Sequence, residues 1–231
     1  MFKQGIVKKF GDLIAKAERR TIDEMKDGGI ETEPSATDRF LARVVDVCQE
    51  FDDNYGVAFK ARTLGDRGKD APESEFGADF CGVLDSQNRF YRQTKGFLAQ
   101  AKIESKGIIV RNEPYVTTVK FTENNEFRRL VGQIDQILSI TPDSFVIIYS
   151  LKGFLVVPAL SVRGLRAGGE LYAKSAPRFF KEVIMCFVGD GRLKAYDDTS
   201  LRRLSIETNA RNALLLEISA LACPEIGVKW S

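Results

Sequence analysis

Apolar residues recur along the chain at two periods, and the period assigns each segment to a helix or a strand. From Phe2 to Met25, residues Ile6, Phe10, Leu13, Ile14 and Ala17 fall at helical spacing among lysines and arginines, which predicts an amphipathic helix ended by Gly28-Gly29. Thr32 is placed to cap a second helix. In it Glu33 and Pro34 occupy the first turn, and Phe40, Leu41, Val44, Val45 and Cys48 form a buried stripe reaching to about Glu50. Glu126 to Ile140 carries Phe127, Leu130, Val131, Ile134, Ile137 and Leu138 at the same spacing, and Thr141-Pro142-Asp143 stops it. Two further helices are expected, from Pro177 to Val188 and from Ser205 to Leu221.

Strands occupy the intervening segments. Val57 to Pro72 reads as a strand and then a long loop rich in Gly, Asp, Arg and Lys. Strands at Gly77 to Leu84 and Lys95 to Glu104 flank a turn at Asp85-Ser86-Gln87-Asn88 and read as antiparallel neighbours. Ser144 to Ser150 and Phe154 to Val162 are short apolar runs around a Lys152-Gly153 turn, the pattern of buried central strands. No internal repeat is present. Helices alternating with strands predict an α/β fold in which a central mixed sheet is flanked by helices. One domain is expected over residues 1–231, with residues 1–27 as an N-terminal helical extension.

Composition narrows the chemistry. With 231 residues, 44% hydrophobic and 29% charged, the chain suits one sizeable core and is short for two. No segment approaches the roughly 18 consecutive apolar residues of a membrane helix, and Met1-Phe2-Lys3-Gln4-Gly5 lacks a secretory apolar region, so a cytoplasmic protein is expected. The four cysteines, Cys48, Cys81, Cys186 and Cys223, are too far apart for a zinc or redox motif. The chain has no histidine, which removes Ser-His-Asp and Cys-His nucleophile pairs and most zinc and iron sites. A net charge of +2 says little about a polyanionic partner, so local clusters matter more.

What remains is carboxylate, amide and lysine chemistry, and one stretch concentrates it. Glu75-Phe76-Gly77-Ala78-Asp79 precedes the expected turn, and Lys95-Gly96-Phe97-Leu98-Ala99-Gln100-Ala101-Lys102 follows it. Strand side chains alternate, so Gln100 and Lys102 share a face while Ala101 points away and keeps its carbonyl available. With Asp79 on the neighbouring strand, an acid, an amide oxygen and an ammonium group converge. That donor set suits Mg²⁺ or Mn²⁺, which take oxygen ligands and need only one or two carboxylates, beside a scissile phosphate.

This pattern resembles the restriction-endonuclease-like, or PD-(D/E)XK, nuclease superfamily, in particular its bacterial-defence and Mrr-like branches with Gly-Ala-Asp followed by Gln-x-Lys. The helix that starts at Glu33-Pro34-Ser35-Ala36-Thr37 and the helix-strand pair from Gln133 to Tyr149 fall where such proteins carry flanking elements. The resemblance implies a restriction-endonuclease-like fold with Asp79 as the metal-binding acid, Gln100 in place of the commoner acid and Lys102 as the motif lysine. It also implies an upstream acid, Glu33 or in reserve Glu75, and a metal held by Asp79, Gln100, the Ala101 carbonyl and one of these. The activity implied is cleavage of DNA by metal-activated water in defence against phage, in a homo-oligomer or with a sensor or motor subunit.

Other readings stay open. Gln93-Thr94-Lys95 is a second Gln-x-Lys, although no apolar run leads into it. Arg163 and Arg166 around Gly164, together with Lys95, are candidates for phosphate contact. Lys8-Lys9, Arg19-Arg20, Arg128-Arg129 and Arg202-Arg203 read equally as solvated helix faces. The sixteen phenylalanines read as core. Because Gln100 brings no negative charge, a catalytically weak subunit that binds nucleic acid or assembles with an effector is the first alternative. An RNA nuclease is the second.

Overall fold

Thr32 accepts a hydrogen bond from the Ser35 amide, so the second helix begins where its cap and Pro34 place it. The computed structural model describes residues 4–50, 57–64, 77–87, 92–114, 116–166 and 168–220. Its helices are α1 (Gln4–Lys26), α2 (Glu33–Gln49), α3 (Asn125–Ile140), α4 (Ala159–Arg163), α5 (Ala176–Ile184) and α6 (Asp198–Glu207). The strands are β1 (Val57–Leu64), β2 (Ala78–Gln87), β3 (Arg92–Ile103), β4 (Ile108–Asn112), β5 (Thr117–Phe121), β6 (Ser144–Tyr149), β7 (Leu155–Pro158), β8 (Glu170–Tyr172), β9 (Lys174–Ser175) and β10 (Ala210–Ala220).

Seven strands form one mixed sheet in the order β1-β10-β2-β3-β6-β7-β9, with β10 parallel to β2, β3 parallel to β6 and the other neighbours antiparallel. A separate three-stranded sheet, β4-β5-β8, was outside every element expected from the pattern. Helices cover both faces of the large sheet, which makes this an α/β fold. One core layer gathers α1, α2 and α5, with Phe10 stacked on Phe59. The other gathers α3, α4, α6 and the small sheet around Leu130, Ile134, Ile137, Leu201 and Val119.

Four expectations change. Asp85, Ser86 and Gln87 extend β2 instead of turning, because they pair with Thr94, Gln93 and Arg92 of β3; Asn88 lies outside the described residues. The run from Phe154 to Val162 is not one strand: Pro158 closes β7 and caps α4. In α2 Val47 joins Phe40, Leu41, Val44 and Cys48 in the buried stripe, whereas Val45 is only half-buried. The largest change is at Ser205 to Leu221. Only its start is helical, as the end of α6; Asn209 then adopts a left-handed φ of 49°, and residues 210–220 form the strand inserted between β1 and β2. Layers cover both faces of that strand, so its leucines are apolar on both sides and their run imitates a helix former. The long loop expected after β1 lies outside the described residues.

The centre of the sheet is braced by aromatic rings. Phe97 on β3 meets Phe80, Phe145, Phe179 and Phe180, at centroid distances from 5.2 to 6.3 Å and close to edge-to-face. Its ring lies so near β2 that a Cβ at Gly82 would come within 2.4 Å of it, so only glycine fits opposite. Truncation of Phe97 leaves a cavity that the packed rings of β2, β6 and α5 cannot fill. Phe97→Ala is expected to cost about 3–5 kcal/mol in a chemical-denaturation experiment, with the midpoint lowered and the slope unchanged.

Candidate active site

The site forms where β2 and β3 part. Their pairing runs from Gln87 and Arg92 to Phe80 and Ala99, after which β3 continues to Ile103 against β6. At that point the Ala101 amide donates to Asp79 Oδ2 at 2.6 Å, so a side-chain carboxylate stands where the ladder would offer a main-chain carbonyl. The N–H and C=O of one strand residue point to the same side, which leaves the Ala101 carbonyl on the Asp79 flank of β3.

Gln100 and Lys102 follow from the alternation that buries Phe97, Ala99 and Ala101 in the opposite layer. Gln100 is 2% exposed; its Nε2 donates to Asp79 Oδ2, and its Oε1 is buried with no hydrogen-bond partner. Lys102 is 6% exposed, and its Nζ donates to Glu33 Oε2 at 2.8 Å. Glu33 sits in the first turn of α2, where the helix dipole favours an anion, and its side chain remains 32% exposed. The structure thus brings Asp79, Gln100, Ala101, Lys102 and Glu33 together.

Burial pushes the Asp79 carboxyl up to about 6; the Ala101 hydrogen bond and the charges of Lys102 and Arg211 work against this rise, while Glu33 adds to it. Arg211 follows from the strand identity of β10. It lies between the Ala210-Ala78 and Asn212-Phe80 pairs, directly beside Asp79. Next to it, Asn212 Nδ2 donates to Asp38 Oδ1 at 2.8 Å and ties β10 to α2. Neither Arg211 nor Asn212 carries a signal in the sequence once residues 205–221 are read as a helix, and Asp38 looks there like any solvated helix residue.

Comparisons with protein-family models, curated proteins and solved structures find no match for this chain. The site therefore has to be read from its own chemistry.

Its donors are hard oxygens: the Asp79 and Glu33 carboxylates, the orphaned Gln100 Oε1 and the Ala101 carbonyl. Mg²⁺ and Mn²⁺ fit such a set. Among the described residues no three His, Cys, Asp or Glu side chains cluster as a metal site, so a cation here would lean on two acids, an amide and water. Glu75 lies outside the described residues.

Of the phosphate-contact candidates, Lys95 lies at the far end of β3 from Lys102. Lys95 precedes Lys102 by seven strand positions, about 23 Å along β3, and its Nζ donates to the Cys186 carbonyl at 3.0 Å. Gln93 lies at that same far end, opposite Ser86. Arg163 on α4 pairs with Asp135 on α3 at 2.6 Å, and Arg166 is exposed just beyond α4. Among the described residues no helix is long and apolar enough to cross a membrane.

A carboxyl with a raised folded pKa binds its proton more tightly in the folded than in the unfolded chain. Its desolvation therefore destabilises the fold fully above pH about 6, and the penalty fades as pH falls toward the ordinary aspartate value. Asp79→Asn keeps an acceptor for Ala101 and offers an NH₂ to Gln100 Oε1. The variant is expected to be more stable than wild type by about 1–3 kcal/mol at pH 7.5, with the difference vanishing near pH 4. Urea titrations of the two proteins across that range check it.

Proposed function

We propose that the chain is a divalent-cation-dependent nuclease with a restriction-endonuclease-like core that hydrolyses phosphodiester bonds, with duplex DNA as the first substrate to test. The observation that supports this reading best is the meeting of Asp79, Gln100 and Lys102 at the parted end of β2 and β3. A central strand devotes two buried positions to polar side chains there, although an apolar pair would be cheaper to bury.

Asp79, Gln100 Oε1, the Ala101 carbonyl and Glu33 are the groups that would hold the cation. Bound there, Mg²⁺ or Mn²⁺ supplies charge neutralisation and a water of lowered pKa. The chain contributes the rest. Lys102 carries a positive charge into a water-poor site, where it can leave Glu33 for a phosphate oxygen or orient the attacking water. Arg211 adds a second positive charge on the far side of Asp79. No nucleophile for a covalent intermediate is required. A homo-oligomer, or a sensor or motor partner, is the assembly we assign it, and defence against foreign DNA is the role.

The second reading is a nuclease-fold subunit of little activity, favoured by the uncharged Gln100 and by its amide donor resting on Asp79. Plasmid cleavage with Mg²⁺ or Mn²⁺ separates the two. Wild type is expected to nick or linearise the plasmid, and Asp79→Ala or Lys102→Ala to reduce the rate at least about a hundredfold. Cleavage that survives both substitutions removes the site assignment, and absence of cleavage by wild type supports the subunit. Structured RNA in a parallel reaction tells whether RNA is the better substrate.

A further inference from the structure

Every described acid at the site is already engaged. Asp79 Oδ2 accepts from Ala101 and Gln100, Glu33 Oε2 from Lys102, and Asp38 Oδ1 from Asn212. These donors occupy one oxygen of each carboxylate, so a cation that is to take both Asp79 oxygens, or to meet the Gln100 amide oxygen beside Asp79, has to displace one of them, and the side chain facing Asp79 across the parted strands is neutral.

The Gln100 amide is turned so that its NH₂ meets the carboxylate while Oε1 is buried without a hydrogen bond. This orientation is costly, because an unmet buried acceptor loses the hydrogen bonds that water would have made to it. Rotation about the terminal torsion exchanges the two ends of the amide. The exchange would set Oε1 against the Asp79 oxygen, two acceptors that repel unless a cation lies between them. The amide thus has two arrangements, one that occupies Asp79 Oδ2 and one that a cation stabilises beside the ionised carboxylate.

We propose that Gln100 makes cation binding at Asp79 conditional on a bound phosphodiester. This rests on the nuclease reading above and adds a regulation of the same site. Without a phosphodiester, a divalent cation that turned the amide would gain only one buried carboxylate and an amide oxygen, with Glu33 still held by Lys102. A phosphate supplies the anionic ligand that an acid at position 100 would have supplied, and it draws Lys102 away from Glu33, so that a second carboxylate becomes free. Coupling of this kind is reciprocal: the phosphodiester tightens the cation by the factor by which the cation tightens the phosphodiester. The consequence is a nuclease that holds little metal until it is on its substrate.

The test is Mn²⁺ binding to the full chain by electron paramagnetic resonance, alone and with a short phosphorothioate DNA duplex. Asp79→Ala with the same duplex serves as the background for metal held by DNA itself. In wild type the duplex is expected to tighten Mn²⁺ at least about tenfold. Gln100→Glu is expected to bind Mn²⁺ without duplex at least about tenfold more tightly than wild type and to lose most of the coupling. Equal Mn²⁺ affinity of wild type with and without duplex overturns the proposal, as does a Gln100→Glu variant that keeps the wild-type coupling. Failure to bind Mn²⁺ in either state removes the nuclease reading as well, whereas equal binding together with intact cleavage removes this inference alone.

A second readout needs no acidic variant. The side-chain amide resonances of Gln100, assigned by their loss in Gln100→Met, are expected to move when Mg²⁺ and duplex are added together and to stay in place with Mg²⁺ alone. Movement with Mg²⁺ alone overturns the proposal.

Discussion

The Ala101 amide hydrogen bond to Asp79 sets the geometry of everything near the site. A buried backbone N–H must find an acceptor, and where β2 and β3 separate no carbonyl takes that place. The Asp79 carboxylate does, at 2.6 Å, so β3 can run past its partner without leaving a donor stranded. One hydrogen bond therefore fixes the carboxylate to the backbone, ends the ladder and opens the gap in which Gln100 and Lys102 stand. Burial works against the ionised carboxylate, and the surrounding donors and cations only partly offset it.

Below that gap the structure is stiff. Phe97, Ala99 and Ala101 alternate with the polar pair and are packed into the layer of α1, α2 and α5, where Phe97 touches four other rings. Close-packed rings leave β3 little room to shift. Thr32 and Pro34 fix the start of α2, and with it Glu33, while Tyr149 on β6 donates to Thr37 one turn along. The side chains of the proposed site are thus carried on elements whose own positions are over-determined, which a site needs in order to hold its groups within fractions of an ångström.

The legible part of this arrangement was local. The cap at Thr32, the period-two alternation at Gln100 and Lys102, and the antiparallel neighbourhood of Asp79 all follow from short-range rules; α3 fell where those rules put it, and the central strands paired as expected although β2 runs through the expected turn to Gln87. The illegible part depends on residues distant in the chain. Ala210 to Ala220 contains Leu214-Leu215-Leu216 with Ala and Glu around them, good helix formers whose preference is overridden because β1 and β2 flank the segment and layers cover both faces. Misreading that one strand hid Arg211 and Asn212 together, since a residue's neighbours across a sheet are unknown until the strand order is. The contact candidates Lys95, Arg163 and Arg166 were chosen by charge and glycine content, signals that carry no distance.

Two aspartates on the same hairpin show why one end is read as chemistry and the other as architecture. Asp85, near the hairpin turn, is fully buried in its side chain, and burial alone would raise its carboxyl. Arg92, Gln87 and Thr94 all donate to it, at 2.6–3.0 Å, and hold it below the ordinary aspartate value. Each of its oxygens has two donors, so it has nothing left to offer a ligand. Asp79 receives its two donors on a single oxygen, its carboxyl is pushed up, and the amide beside it keeps an oxygen unused. Lys102 is in the same condition, because its partner Glu33 keeps contact with water and releasing it costs far less than breaking a fully buried pair. A structural carboxylate is one whose neighbours have spent their hydrogen bonds on it, and by that criterion Asp85 is structural, whereas Asp79 keeps the capacity that the proposed cation and phosphate would use.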